Sequence, residues 1–131
     1  MADFTSVLGA NKAASTLLVL FIPSADRDGE PIDQDSWVEQ GLRTLGECFG
    51  GATAFPQGRG VWRDDARGGA LVFDEPVIIQ CYTSSALIEQ LADKLREFLV
   101  RMGTESNQGA VGLVIDRDYL EIGFPVAKEE E

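Results

Sequence analysis

Apolar residues run almost unbroken from Thr16 to Ile22 (TLLVLFI) and stop at Pro23. A short continuous run of this kind predicts a central β-strand. Further on, Val38, Leu42, Leu45 and Phe49 recur at i, i+4, i+7 and i+11, one face of a helix over 37–49. Ser36 with Glu39 makes a capping box at its start, with Asp33 or Asp35 as other caps, and Gly50 suits the left-handed residue that ends it. Two β-rich stretches follow, 53–63 and 70–83, joined by the turn DDARGG. Pro56, Gly58 and Gly60 interrupt the first and Pro76 the second, which predicts an irregular hairpin with a kink near Pro76. Ile88, Leu91, Leu95, Phe98 and Met102 then mark a second amphipathic helix over 87–102, ended by Gly103. The last β-rich segment spans 110–124, and Asp116-Arg117-Asp118 within it reads as a hairpin turn that adds an extra C-terminal strand.

The order is strand, helix, strand, strand, helix, strand. It predicts an α+β, ferredoxin-like βαββαβ sandwich with an antiparallel sheet and two helices on one face. Its 131 residues suit one domain. Residues 1–14 form an N-terminal arm without sustained period, 15–125 the domain, and 126–131 a charged tail. Two helices shelter one side of the sheet only. The other side draws on strands rich in Val, Leu, Ile and Phe, and an apolar face of that size calls for a cover.

Charge narrows the partners. Eleven Lys and Arg against 22 Asp and Glu leave a net charge of -11. That field repels nucleic-acid phosphate and anionic membrane surfaces, so neither is expected as a partner. A second copy of the chain, giving a homo-oligomer through the open sheet face or an edge strand, and a protein with a basic surface are the partners it allows. Cys48 and Cys81 both fall on apolar positions and are expected as reduced core thiols. No charged leader precedes an apolar stretch, and Thr16 to Ile22 is too short to span a bilayer, so the expected location is the cytoplasm.

Candidate chemistry is sparse. The chain has no histidine, which removes the commonest general base and every Ser–His or Cys–His nucleophile. No metal site and no cofactor are expected: the two cysteines lie far apart without a C-x-x-C pair, and no glycine motif matches a phosphate loop or dinucleotide fingerprint. Asp26, Asp28, Glu30 and Asp33 crowd one loop, but the calcium-loop template fails, with Gly29 at position 4 and Trp37 at position 12. Arg59 and Arg63 bracket Trp62. Two guanidinium groups around an aromatic wall can hold a carboxylate or phosphate, and Glu75 faces them across the hairpin. Arg59, Trp62, Arg63, Glu75 and Tyr82 are therefore the candidate ligand or partner site. Glu47, Asp74 and Glu75 are conceivable catalytic carboxylates, but no catalytic residue is assigned.

The stretch ECFGGATAFP from Glu47, followed by GVWRD from Gly60, resembles a pattern in small uncharacterised bacterial α+β domains, where a helix ends in F-G-G-x-T and a strand carries G-x-W. The resemblance implies an α+β sandwich and carries no agreed activity. The expectation drawn from the residues is a non-catalytic binding or regulatory module, homodimeric through the open face. The alternatives are a small-molecule enzyme with its pocket in a dimeric α+β barrel, and an acidic inhibitor or nucleic-acid mimic.

Overall fold

The computed structural model describes residues 3–125. Residues 1 and 2 of the arm and the charged tail 126–131 lie outside the described residues. The elements are α1 (Phe4–Leu8), β1 (Thr16–Ile22), α2 (Gln34–Phe49), β2 (Thr53–Ala54), β3 (Gly60–Asp64), β4 (Ala70–Asp74), β5 (Val77–Thr83), α3 (Ser85–Gln90), α4 (Ala92–Glu105), β6 (Ala110–Ile115) and β7 (Asp118–Gly123). Five strands form one antiparallel sheet in the order β2-β5-β1-β6-β7. The first four are the ferredoxin-like set, and β7 is the extra C-terminal strand. Asp116 turns the β6–β7 hairpin with φ 56°, and its side chain accepts a hydrogen bond from the Leu17 N–H at 2.9 Å.

The period of two along β1 is strict. Thr16, Leu18, Leu20 and Ile22 are buried, while Leu17, Val19 and Phe21 between them are half-exposed. The helices cover the first set. Gly41 of α2 sits so close to the sheet that a Cβ there would lie 2.9 Å from Ile79 Cδ1, 3.4 Å from Phe98 Cζ of α4 and 3.7 Å from Ile22 Cδ1. Both helices therefore share one sheet face, and Leu18, Leu20, Ile22, Leu45, Ile79, Phe98, Leu99 and Met102 close the core between them. Each such side chain contributes about 1.5–3 kcal/mol by leaving water. Cys81 lies in this core and Cys48 is half-buried, both as free thiols, and burial pushes the Cys81 thiol up.

Several boundaries differ from the pattern. Asp33, not Ser36, caps α2, accepting from the Ser36 N–H at 3.2 Å, so the helix starts three residues earlier than its apolar stripe. The second helix is two pieces. Ser84 caps α3, the chain breaks at Leu91, and α4 runs through Gly103 to Glu105. Gly103 does not stop the helix; it makes room for the Phe124 ring, which a Cβ would meet at 2.2 Å. The arm holds a short helix, α1, capped by Asp3, with Phe4, Val7 and Leu8 exposed. The largest difference lies in the long hairpin. The stretch 53–63 yields only two residues of the main sheet, and β3 with β4 forms a separate two-stranded ribbon. Pro76 breaks the chain between ribbon and sheet because it cannot donate to a ladder.

The acidic loop after β1 is spent on structure. Asp26 Oδ1 accepts from the N–H groups of Asp28 at 2.8 Å and Glu30 at 3.0 Å, and Asn107 Nδ2 donates to its other oxygen at 3.3 Å. These bonds, the Glu30 N–H first, hold the Asp26 carboxyl below its ordinary 3.8. A depressed folded-state value means the stabilisation is present above 3.8 and is lost as pH falls through the lower folded-state value. The amide resonances of Asp28 and Glu30 are expected to shift together with the Asp26 carboxyl in an NMR titration, with a midpoint below 3.8. A midpoint at or above that value, or amides that ignore it, would show that the carboxylate does not hold the loop.

Candidate functional site

Among the described residues, two apolar surfaces lack a cover. One is the sheet face opposite the helices. Leu17, Val19, Phe21, Ile78 and Val114 form its half-buried centre, with Gln80, Tyr82, Tyr119 and Glu121 around them. Tyr119 packs edge-on against Phe21, with ring centroids 6.3 Å apart. Its ring lies over Gly112, where a Cβ would come 2.4 Å from the phenolic oxygen. The hydroxyl donates to Glu121 Oε2 at 3.0 Å. Burial first, and the Glu121 carboxylate second, push its ionisation up, so Tyr119 is a hydrogen-bond donor at neutral pH and not a base.

The other uncovered surface is the β3–β4 ribbon. Its register pairs Val61 with Phe73 and Arg63 with Leu71, so these four share one side, while Trp62 and Val72 share the other. Val61, Trp62, Leu71 and Phe73 are each at least half exposed, Phe73 at 76%. An isolated two-stranded hairpin is marginal in water, and this one shows apolar groups on both sides. It is tied down at its ends. Near the tip Arg67 reaches Asp64 at 3.5 Å and Asp28 at 3.8 Å.

At the ribbon's base, Asp74 locks onto the end of β1. Its Oδ1 accepts from the Ser24 N–H at 3.0 Å, from the Glu75 N–H at 2.9 Å and from the Ser24 hydroxyl. Ser24 Oγ accepts from the Glu75 N–H at 3.0 Å. Gln34, at the start of α2, donates to the carbonyls of Ile22 and Glu75 at 3.1 and 2.9 Å. Just beyond the ribbon's paired residues, the Gly58 N–H donates to the Pro76 carbonyl at 2.8 Å. This net of bonds fixes a cleft of about 190 Å³ lined by Ser24, Arg59, Gly60, Phe73, Asp74 and Glu75. The Asp74 carboxylate is engaged in holding the backbone. Among the described residues, the Arg59 guanidinium and the Glu75 carboxylate form no ion pair, with each other or with any other group.

The cleft gathers two of the five candidate residues, Arg59 and Glu75. The structure does not bring Trp62, Arg63 and Tyr82 to it. Trp62 and Arg63 are adjacent in a strand and point to opposite sides of the ribbon, and Arg63 pairs with Asp65 at 2.6 Å. Tyr82 stands on the open sheet face opposite Leu17, near the far end of β5. Glu47 is an exposed residue of α2. Sequence reasoning missed Ser24 and Phe73. The only signal was position: Ser24 follows the Pro23 that ends the central strand, and Phe73 precedes the Asp-Glu-Pro break. Among the described residues no three His, Cys, Asp or Glu side chains assemble as metal ligands, and no helix is long and apolar enough to cross a membrane.

No family model matches this chain, and no curated protein matches it. Solved structures do. A phage SAM lyase in complex with S-methyl-5′-thioadenosine superposes with a TM-score of 0.66 at 17% sequence identity, covering 86% of this chain and 92% of that one. A phage SAM lyase in the apo state gives a TM-score of 0.62 at 16% identity, over 90% of this chain and 96% of that one. The likeness spans nearly the full α+β sandwich of both proteins and is one of fold. It also corrects the expectation of a non-catalytic binding or regulatory module. That expectation rested on the missing histidine and the missing motif, whereas these structural neighbours, built on the same frame, are an enzyme.

Proposed function

We propose that this chain is a small-molecule lyase that cleaves a sulfonium nucleoside of the S-adenosylmethionine type at the cleft beneath the ribbon. The observation that carries the reading is that Glu75, whose carboxylate has no ion pair among the described residues, and Phe73 line one cleft in a protein whose fold is similar to that of a SAM lyase. A carboxylate and an aromatic face are the two surfaces that attract a sulfonium cation. The net charge of -11 draws such a cation from a distance.

The chemistry also suits a chain without histidine. When the bond between carbon and the sulfonium sulfur breaks, its electron pair stays on sulfur and the nucleoside leaves as a neutral thioether. No proton donor is needed for that leaving group. The four-carbon amino-acid fragment balances its charge by losing a proton or by bonding its own carboxylate to the carbon that sulfur left. Neither route calls for a metal or an activated side-chain nucleophile.

The described residues of one chain do not enclose such a substrate. The cleft holds about 190 Å³, whereas sites that bury a drug-sized ligand run to about 300–1,000 Å³. The uncovered ribbon beside it, and the apolar sheet face, favour a homo-oligomer in which a second copy completes the enclosure. A cytoplasmic location, where two free thiols stay reduced, goes with this reading.

The test uses the purified full chain with S-adenosylmethionine, followed by mass spectrometry, with light scattering on the same sample. Methylthioadenosine and a four-carbon product are expected to accumulate above the enzyme-free rate, from particles larger than a monomer. A particle of monomer mass would overturn the assembly. Absence of thioadenosine release from an intact sample would sink the lyase reading.

A further inference from the structure

We propose that Arg59 grips the carboxylate of an α-amino-acid group borne by the nucleoside, with Glu75 taking the ammonium of the same group. The proposal rests on the lyase reading of the cleft and adds to it which half of the ligand is held. Three observations carry it. Arg59 and Glu75 line one cleft. They flank the base of the ribbon from its two sides, since Gly60 pairs with Asp74 and the two residues stand one position beyond that pair. Neither is neutralised by another side chain among the described residues. Two opposite charges that flank a cleft without pairing suit a ligand that carries both charges on one carbon. A guanidinium adds direction, because its parallel N–H groups match the two oxygens of a carboxylate. Asp74 and Ser24 are positioning residues here, since Asp74 Oδ1 and Ser24 Oγ both accept from the backbone N–H of Glu75.

The consequence is discrimination between substrate and product. Cleavage separates the amino-acid half from the thioadenosine. The freed nucleoside then has nothing for Arg59 to hold, so it leaves while the intact ligand is retained.

Calorimetric binding of two uncleavable probes tests this: S-adenosylhomocysteine, which keeps the amino-acid group on a neutral thioether, and methylthioadenosine, which lacks it. Wild-type protein is expected to bind the first more tightly. Arg59→Ala is expected to weaken the first by roughly 10- to 100-fold, the range of a charge-assisted bond, and the second by less than about twofold. Arg59→Lys is expected to fall between, keeping charge and losing the fork. An unchanged thermal melt of each variant shows that the fold is intact. Equal weakening of both probes, no weakening of either, or no binding of S-adenosylhomocysteine by wild type would overturn the assignment. Arg59-dependent binding without turnover of S-adenosylmethionine defeats the lyase reading and leaves this one standing. Turnover that ignores Arg59 does the reverse.

Discussion

Glu75→Gln is expected to raise KM for S-adenosylmethionine by about 10- to 100-fold while kcat changes by less than about threefold. The split follows from where the positive charges sit. The ammonium is the same before and during bond breaking, and the sulfonium charge is largest in the bound substrate and fades as the thioether leaves. A carboxylate beside either group therefore stabilises the ground state at least as well as the transition state. That kind of attraction improves binding and does not speed the chemical step. The substitution keeps the shape of the side chain and leaves the backbone bonds of Glu75 to Ser24, Asp74 and Gln34 in place. Steady-state kinetics decide the matter. Turnover slowed by roughly 100-fold or more would assign the carboxylate a proton-accepting role, since general bases contribute about 10²- to 10⁴-fold.

Phe98→Ala is expected to cost about 3–5 kcal/mol of folding stability. Phe98 is fully buried where α4 meets both α2 and the sheet. Its ring stands edge-on to Trp37 with centroids 6.3 Å apart and lies 5.7 Å beneath the Arg101 guanidinium. It also fills the space over Gly41 that lets α2 approach the strands. Alanine would leave a void that Ile22, Ile79 and Trp37 cannot close together, because Gly41 offers no side chain to fill it. Thermal or urea unfolding reads the loss, on the order of a 10–20 °C lower Tm for a chain of this size. A loss under about 1 kcal/mol would mean that the two helices do not depend on this ring for their packing.

The sandwich itself was legible because its elements repeat at their own periods. Leu18, Leu20 and Ile22 alternate with Leu17, Val19 and Phe21, and Leu95, Phe98, Leu99 and Met102 recur at helical spacing, so burial follows pattern directly. The break in the long hairpin was half legible. Pro56, Gly58, Gly60 and Pro76 announced irregularity, yet nothing local says that β3 and β4 leave the sheet altogether. That is a tertiary outcome, decided by β5 taking β1 along its whole length. The kink at Leu91 was hidden for a related reason, since the apolar stripe continues through it.

The cleft was partly legible. Arg59 and Glu75 follow from hairpin geometry, since each stands one position beyond the Gly60–Asp74 pair that ends the ribbon's register. Trp62 and Arg63 were drawn in by nearness in sequence, which a strand overrides by sending neighbours to opposite sides. Ser24 lies about 50 positions from its partner Asp74, and no local period encodes a contact between a strand end and a distant turn.

Phe73 belongs to two surfaces, the skin of the ribbon and the wall of the cleft. A partner settling on the ribbon would touch a wall of the cleft, and a ligand filling the cleft would touch the surface the ribbon presents. In the proposed assembly, subunit association and ligand uptake would draw on one residue, and thermodynamic reciprocity would require each to change the other's equilibrium by the same factor. Occupancy of the cleft would accordingly vary with protein concentration, even at a fixed concentration of ligand.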